Sequence, residues 1–428
     1  MCGRCSFPAM TPERVVITGM GAMTPLGVGL EKFWQGVKCG ANGIGPITLI
    51  DITRHDTKFG GEVTGFNVED YIDRKEARRM DRFVHLSVAA SQDAVKHSGL
   101  VIDESNQDRV GVIIGCGVGG LTTWEREYRN FLEKGPERVS PFLIPMMITN
   151  MASGHVSIQS GARGPNTTLV SACASSAHSI GMAFDLIRRG DADAMIAGGT
   201  EAPIADSAMA GFGNMRALSR RNDDIAHASR PFDLNRDGFV IGEGAGTIVL
   251  ESLTSAQARG ATIYAEMLSH GLTGDSYHMT GMPEDGRGLG QAMKLALKLA
   301  GVEPADVQYI NAHGTSTPTN DKTETAAIKA VFGGHAYKLG VSSTKSQIGH
   351  LLGGGSAVEF IATVLGLHHQ VMPPTINMET PDPECDLDYV TEGSRPASPD
   401  APINVALCNS AGFGGHNATL VARRWQGE

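Results

Sequence analysis

The residues of this chain best suited to covalent chemistry are one cysteine and two histidines, far apart in sequence. Cys173 stands in LVSACASSAH at residues 169–178, where an apolar run ends in small side chains and a helix-like segment follows directly. Ile180, Ala183, Phe184 and Ile187 recur at helical spacing, and Arg188, Arg189 and Gly190 close the segment as a helix C-terminus does. This spacing predicts Cys173 at a helix N-terminus, where free backbone N–H groups and the positive end of the dipole favour a thiolate. The competing reading is a buried cysteine acting only as a small hydrophobe.

His313 lies in NAHGTSTP at residues 311–318, on the loop leaving the strand-like residues 307–310. His350 ends VSSTKSQIGH at residues 341–350, a segment that passes through Lys345; the glycine-rich residues 353–357 then lead into a helix carrying Glu359. Either histidine alone fits a structural hydrogen-bonder, but with Cys173 they form a candidate set for nucleophilic and proton-transfer chemistry. Read as three zinc ligands they lack the close pairs, such as C-x-x-C or H-E-x-x-H, that zinc sites show. No metal is therefore assigned.

The elements that must position these residues repeat a simple unit: a short apolar run, glycine-rich turns and a helical stretch. It recurs at residues 14–21, 110–120, 194–199, 309–314 and 403–415, which indicates α/β architecture. The 54 glycines gather at the ends of these runs, where the backbone must turn tightly or approach a ligand. At 428 residues the chain exceeds one ordinary core, so two halves are expected, crossing near residues 251–260. The cysteine falls in the first half and both histidines in the second, which predicts a site at their junction.

Composition narrows the function classes. Hydrophobic residues at 41% and charged residues at 19% describe a globular protein, and no apolar stretch is long enough to span a bilayer. A net charge of −10 argues against general nucleic-acid binding. Seven scattered cysteines suit reduced thiols, hence a cytoplasmic setting, better than a disulfide framework. Residues 1–13 lack an apolar signal core and read as an N-terminal extension. The string GCGVGG at residues 115–120 fits the dinucleotide pattern G-x-G-x-x-G, a weak match in so glycine-rich a chain.

Taken together, VVITGMGAMTPLG from Val15, SACASS around Cys173, RPFDLNRDGFVIGEGAG from Arg230, NAHGTSTP around His313, STKSQIGHLLGGGSAVE around His350 and NSAGFGGHN from Asn409 are highly specific. The chain resembles the β-ketoacyl-[acyl-carrier-protein] synthases, most closely the type II condensing enzymes of bacterial fatty-acid synthesis. The resemblance implies a thiolase-like fold, with two similar α/β halves (residues 14–260 and 261–428) in a five-layer α-β-α-β-α arrangement, working as a homodimer. It implies decarboxylative condensation of malonyl-acyl carrier protein with an acyl chain on Cys173, with His313 and His350 donating to the enolate oxygen. Lys345 and Glu359 would be the supporting charged pair.

By the same resemblance the N–H groups of Cys173 and Phe413 form the oxyanion hole, and Phe413 is the gate, with Ala411 and His416 departing from the commonest loop pattern. Thr280, Thr315 and Thr317 would contact phosphopantetheine, which arrives on the acyl carrier protein, so no resident cofactor is expected. Ordinary turn hydrogen bonds are the alternative for these threonines. Val118 and Phe212 would line the acyl pocket. Lys75, Arg78, Arg79 and Arg216 would dock the carrier, with Arg74 and Arg82 belonging to the same basic helical run at residues 73–82, which could equally be a solvated face. A polyketide ketosynthase and a non-catalytic chain-length-factor subunit are the alternatives, and Cys173 opposes the second.

Overall fold

A computed structural model describes residues 12–427. Residues 1–11 of the expected extension, with Cys2 and Cys5, lie outside the described residues. Glu13, the extension's last residue, is tied to the body, because its carboxylate accepts from the N–H and hydroxyl of Thr254 at 3.2 and 2.7 Å.

The first half supplies β1 (Val15–Thr24), β2 (Val110–Gly115), β3 (Asn166–Thr167), β4 (Ala194–Glu201) and β5 (Gly244–Ser252). The second supplies β6 (Ala265–Gly274), β7 (Tyr309–Asn311), β8 (Gly340–Ser342), β9 (Val405–Gly412) and β10 (His416–Arg424). They form one sheet in the order β8-β7-β9-β10-β6-β1-β5-β4-β2-β3, with Gly27–Val28 hairpinned onto β1. Outward from the centre, each half repeats the same order: its first strand, fifth, fourth, second and third. The seam is three antiparallel pairs, Val15 with Met267, Val16 with Glu266 and Ile17 with Ala265. The expected crossing near residues 251–260 is the end of β5 and a short helix, Leu253–Ala258.

Helices occupy equivalent gaps in both halves. On the outside, α1 (Arg82–Ser98) and α2 (Met151–Ser160) cover the first half, and the amphipathic α4 (Arg287–Ala300), with α5 (Pro318–Phe332), covers the second. Between them run α3 (Ser175–Arg188) and α6 (Gly355–His369), which touch strands of both halves and each other. The result is the five-layer thiolase-like arrangement. The sequence of α6 explains its place: residues 355–367 are all buried, and a helix apolar on every side has to lie between layers rather than on a surface. Its one buried charge, Glu359, is neutralised from outside the helix.

Strand patterns follow the same logic. β1 and β5 are buried at every position, as central strands covered on both faces must be. β3, at the sheet edge, has both residues exposed.

Candidate active site

Cys173 lies on the turn between β3 and α3. The chain enters it through Ala172 at φ 49°, a left-handed conformation that non-glycine residues adopt rarely and that persists where surrounding structure enforces it. That structure comes from the second half. The Cys173 carbonyl accepts from the hydroxyls of Ser356 and Ser410, both at 3.2 Å. Gly412, at the end of β9, fits against the same turn: a Cβ there would stand 2.6 Å from the Ser171 oxygen and 3.1 Å from Cys173 N. The backbone N–H of Phe413, the next residue, is thereby brought to the thiol.

The backbone N–H groups at the helix start do act toward the thiolate, but burial outweighs them. Burial pushes the Cys173 thiol up to about 12, against the opposing effects of the Lys345 charge and of the Phe413 and Cys173 N–H groups that face the sulfur. Desolvation outweighs the short dipole, so the resting group is a thiol.

His313 follows β7 and His350 closes the segment after β8. Their rings meet edge to face, with centroids 5.4 Å apart, and Phe239 packs 5.3 Å from His350. Lys345 lies behind them, its Nζ 3.3 Å from His313 Nδ1 and 2.6 Å from Glu359 Oε1, all in the interior. An ammonium has only donors, so His313 Nδ1 must accept and the ring's one proton is on Nε2, toward the cavity. Burial holds both imidazoles well below their ordinary range, and the Lys345 charge lowers them further. Both rings are neutral near pH 7.

The loop that bears His313 is clamped by Glu324 on α5, a residue the sequence reading missed. Its carboxylate accepts from His313 N at 2.9 Å, Gly314 N at 2.8 Å and Asn409 Nδ2 at 3.2 Å. A buried acid eleven residues after a histidine carries no recognisable spacing signal, since the pairing is made by a loop folding back onto a helix.

One cavity of about 450 Å³ joins Cys173, His313, His350, Phe413, Thr280, Thr315, Thr317, Val118, Phe212 and Arg216. Thr315 and Thr317 share a hydroxyl contact at 2.9 Å, and Thr317 also caps α5 through Asn320 N, so turn bonding and cavity lining coexist. The Phe212 ring stands 6.5 Å from that of Phe413, which puts the pocket wall against the gate. Val118 lines the cavity from the turn after β2. Lys345 and Glu359 stay behind the histidines.

The basic run at residues 73–82 is not one helix. A four-residue helix, Arg74–Ala77, ends there, and Asp81 then caps α1. Arg82 is lost as a docking cation because it pairs with the buried Glu243 at 2.6 Å. Lys75, Arg78 and Arg79 are exposed but off the cavity lining, and Arg79 lies over the Phe142 ring at 4.8 Å. Arg216 is exposed at the cavity itself.

The glycine turn that mimics a dinucleotide motif is filled from inside. The Gly117, Val118 and Gly119 N–H groups bind the carboxylate of Glu201, the last residue of β4, at 2.6, 3.0 and 3.1 Å. Those amides are not free to cradle a phosphate.

Family models match both halves, "Beta-ketoacyl synthase, N-terminal domain" over residues 12–256 and "Beta-ketoacyl synthase, C-terminal domain" over residues 264–379. A 3-oxoacyl-[acyl-carrier-protein] synthase 2 of Synechocystis sp. is 56% identical over 414 residues, 97% of this chain and 99% of the relative. Among solved structures, the ishigamide ketosynthase/chain length factor superposes with a TM-score of 0.90 at 34% identity, covering 97% of this chain and all of that one. A type II polyketide acyl-carrier protein in complex with its ketosynthase contains a chain with a TM-score of 0.88 at 34% identity, again with 97% and 100% coverage.

Proposed function

The chain belongs to the β-ketoacyl synthase family, and on that premise we propose that Cys173 holds the growing acyl chain while His313 and His350 drive the loss of CO2 from malonyl-acyl carrier protein. The activity is that of a condensing acyltransferase. Fatty-acid elongation is preferred to polyketide synthesis because a relative named 3-oxoacyl-[acyl-carrier-protein] synthase 2 reaches 56% identity, against 34% for the chain from the type II polyketide complex.

The observation that carries this reading is the sharing of one cavity by a thiol, two neutral imidazoles and two backbone N–H groups aimed at the sulfur. The thiol, deprotonated as it attacks, displaces the carrier's thiol from an acyl thioester. Cleavage of the malonyl C–C bond releases CO2 and leaves an enolate, whose oxygen accepts from the imidazole N–H groups. Neutral rings suit this step, since they donate hydrogen bonds without readily giving up a proton to quench the carbanion. The carbanion then attacks the Cys173 thioester carbon. The tetrahedral oxyanion is held by the Cys173 and Phe413 N–H groups, and collapse breaks the C–S bond to give a 3-oxoacyl chain two carbons longer. The thiolate recovers its proton from solvent.

Acyl carrier protein as the donor and acceptor of chains fits the exposed Arg216 at the cavity, with Lys75, Arg78 and Arg79 as further exposed cations. Phosphopantetheine would enter past Thr280, Thr315 and Thr317, and no resident cofactor is required. A homodimer fits the exposed edge strand β3, which is followed by Val170 at 57% exposure, with exposed Phe131, Phe142 and Ile144 elsewhere in the same half. Mass spectrometry of the protein after incubation with acyl carrier proteins of graded chain length tests the function. The acyl mass should appear on the Cys173 peptide and vanish in Cys173→Ala, and a label elsewhere would refute the assignment.

A further inference from the structure

We infer that Glu201 is a positioning residue shared by the acyl pocket and the His350 loop, so that acyl-chain length is felt where the malonyl group reacts. The inference rests on the function proposed above. Glu201 is fully buried, and all five of its partners are donors. Oε1 accepts from Val118 N and Gly119 N at 3.0 and 3.1 Å and from the Cys116 thiol at 3.1 Å. Oε2 accepts from Gly117 N at 2.6 Å and, from the other half, Gly353 N at 3.1 Å. Burial pushes this carboxyl up, and its donors oppose that rise.

The two loops also touch each other. A Cβ on Gly353 would stand 2.4 Å from Gly117 N, and one on Gly117 would stand 2.7 Å from Glu201 Oε2. Neither position has room for a side chain, so the spacing of the loops is set by the carboxylate between them. Val118 presents its side chain to the cavity while its N–H binds Glu201. Between His350 and Gly353 stands Leu352, which also lines the cavity and is held at φ 43°, a conformation that needs enforcement. Acyl carbons pressing on Val118 therefore displace a turn whose anchor also fixes the segment beginning at His350. Close packing transmits such a shift rather than absorbing it.

The test uses Glu201→Gln, which keeps size but sets an amide donor against backbone donors. Three quantities are read on the full chain: Cys173 acylation with thioesters of graded length, CO2 release from malonyl-acyl carrier protein, and the melting transition. Short-chain acylation should stay within about twofold of wild type, while long-chain acylation and CO2 release should each fall about tenfold. A folded variant that loses acylation equally at every length, or keeps full CO2 release, overturns the inference. Should that variant not fold, Cys116→Ala removes one donor of five and should give the same pattern at about twofold; wild-type profiles there overturn it equally. A wild-type enzyme that never acquires an acyl group on Cys173 would instead overturn the function, whatever the variants do.

Discussion

The loop after β2 and the loop after β7 occupy the same position in the two halves of the sheet, yet one shapes a pocket and the other performs chemistry. Residues 116–119 display Val118; residues 312–314 display His313. Each loop is gathered on a buried carboxylate by its own N–H groups, three to Glu201 in the first half and two to Glu324 in the second. The anchors differ in origin. Glu324 stands on the helix that directly follows its loop and takes its third donor from Asn409, so the clamp stays within one half. Glu201 ends a strand and reaches Gly353 across the junction. A common backbone device thus makes a rigid mount for an imidazole on one side and a coupling point between halves on the other.

The largest effects should come from the chemical side. His313→Ala removes one hydrogen-bond donor to the enolate, and CO2 release should fall by about 10²–10³. Val118→Ala should cost far less CO2 release, since Val118 reaches the malonyl side only indirectly, through its turn. Equal losses in a decarboxylation assay would break the division of labour between the loops.

Lys345→Met comes next, read by thermal melting. Lys345 and Glu359 are 2% and 1% exposed, and removing the cation leaves a carboxylate buried without its partner. The expected loss is about 3–5 kcal/mol of stability. A melting temperature equal to wild type would mean that the ion pair does not set the geometry behind His313.

Glu324→Gln sharpens the comparison with Glu201. Since its carboxylate serves only the His313 side, CO2 release should drop about tenfold with no dependence on acyl length. A chain-length-dependent loss would make the two anchors equivalent. A smaller effect is expected from Val118→Phe, where added volume at the pocket should lower kcat/KM for the longest acyl chains several-fold while sparing short ones.

Much of this division was legible in the sequence. The alternation of apolar runs and helices announced the layers, and three widely separated motifs announced Cys173, His313 and His350, because reactive side chains sit at strand ends where glycines punctuate the pattern. The anchors were not legible. Glu201 and Glu324 lie 84 residues beyond Gly117 and 11 beyond His313, distances set by tertiary folding rather than by any local period. The net balance at the thiol was not legible for a related reason: a helix terminus can be read locally, but desolvation depends on everything packed around it. Residues 73–82 misled because charge density was visible while the cap at Asp81 and the ion pair with the distant Glu243 were not.

The same contrast between local and global causes makes the pH dependence informative. The thiol, raised to about 12, is almost wholly protonated near neutrality, so its thiolate fraction rises about tenfold per pH unit between 7 and 9. Acylation of Cys173 by a small thioester should climb accordingly wherever attack limits the rate. The imidazoles shift the other way. Burial and the Lys345 charge lower both, so they are already deprotonated above about pH 6.5 and have no charge left to lose as pH rises. CO2 release, measured in Cys173→Ala so that the thiol cannot contribute, should then be flat across pH 7–9. A fall in that rate from pH 8 to pH 7 would mean that the rings titrate near neutrality. They could not then be the neutral donors on which the contrast between the two loops depends.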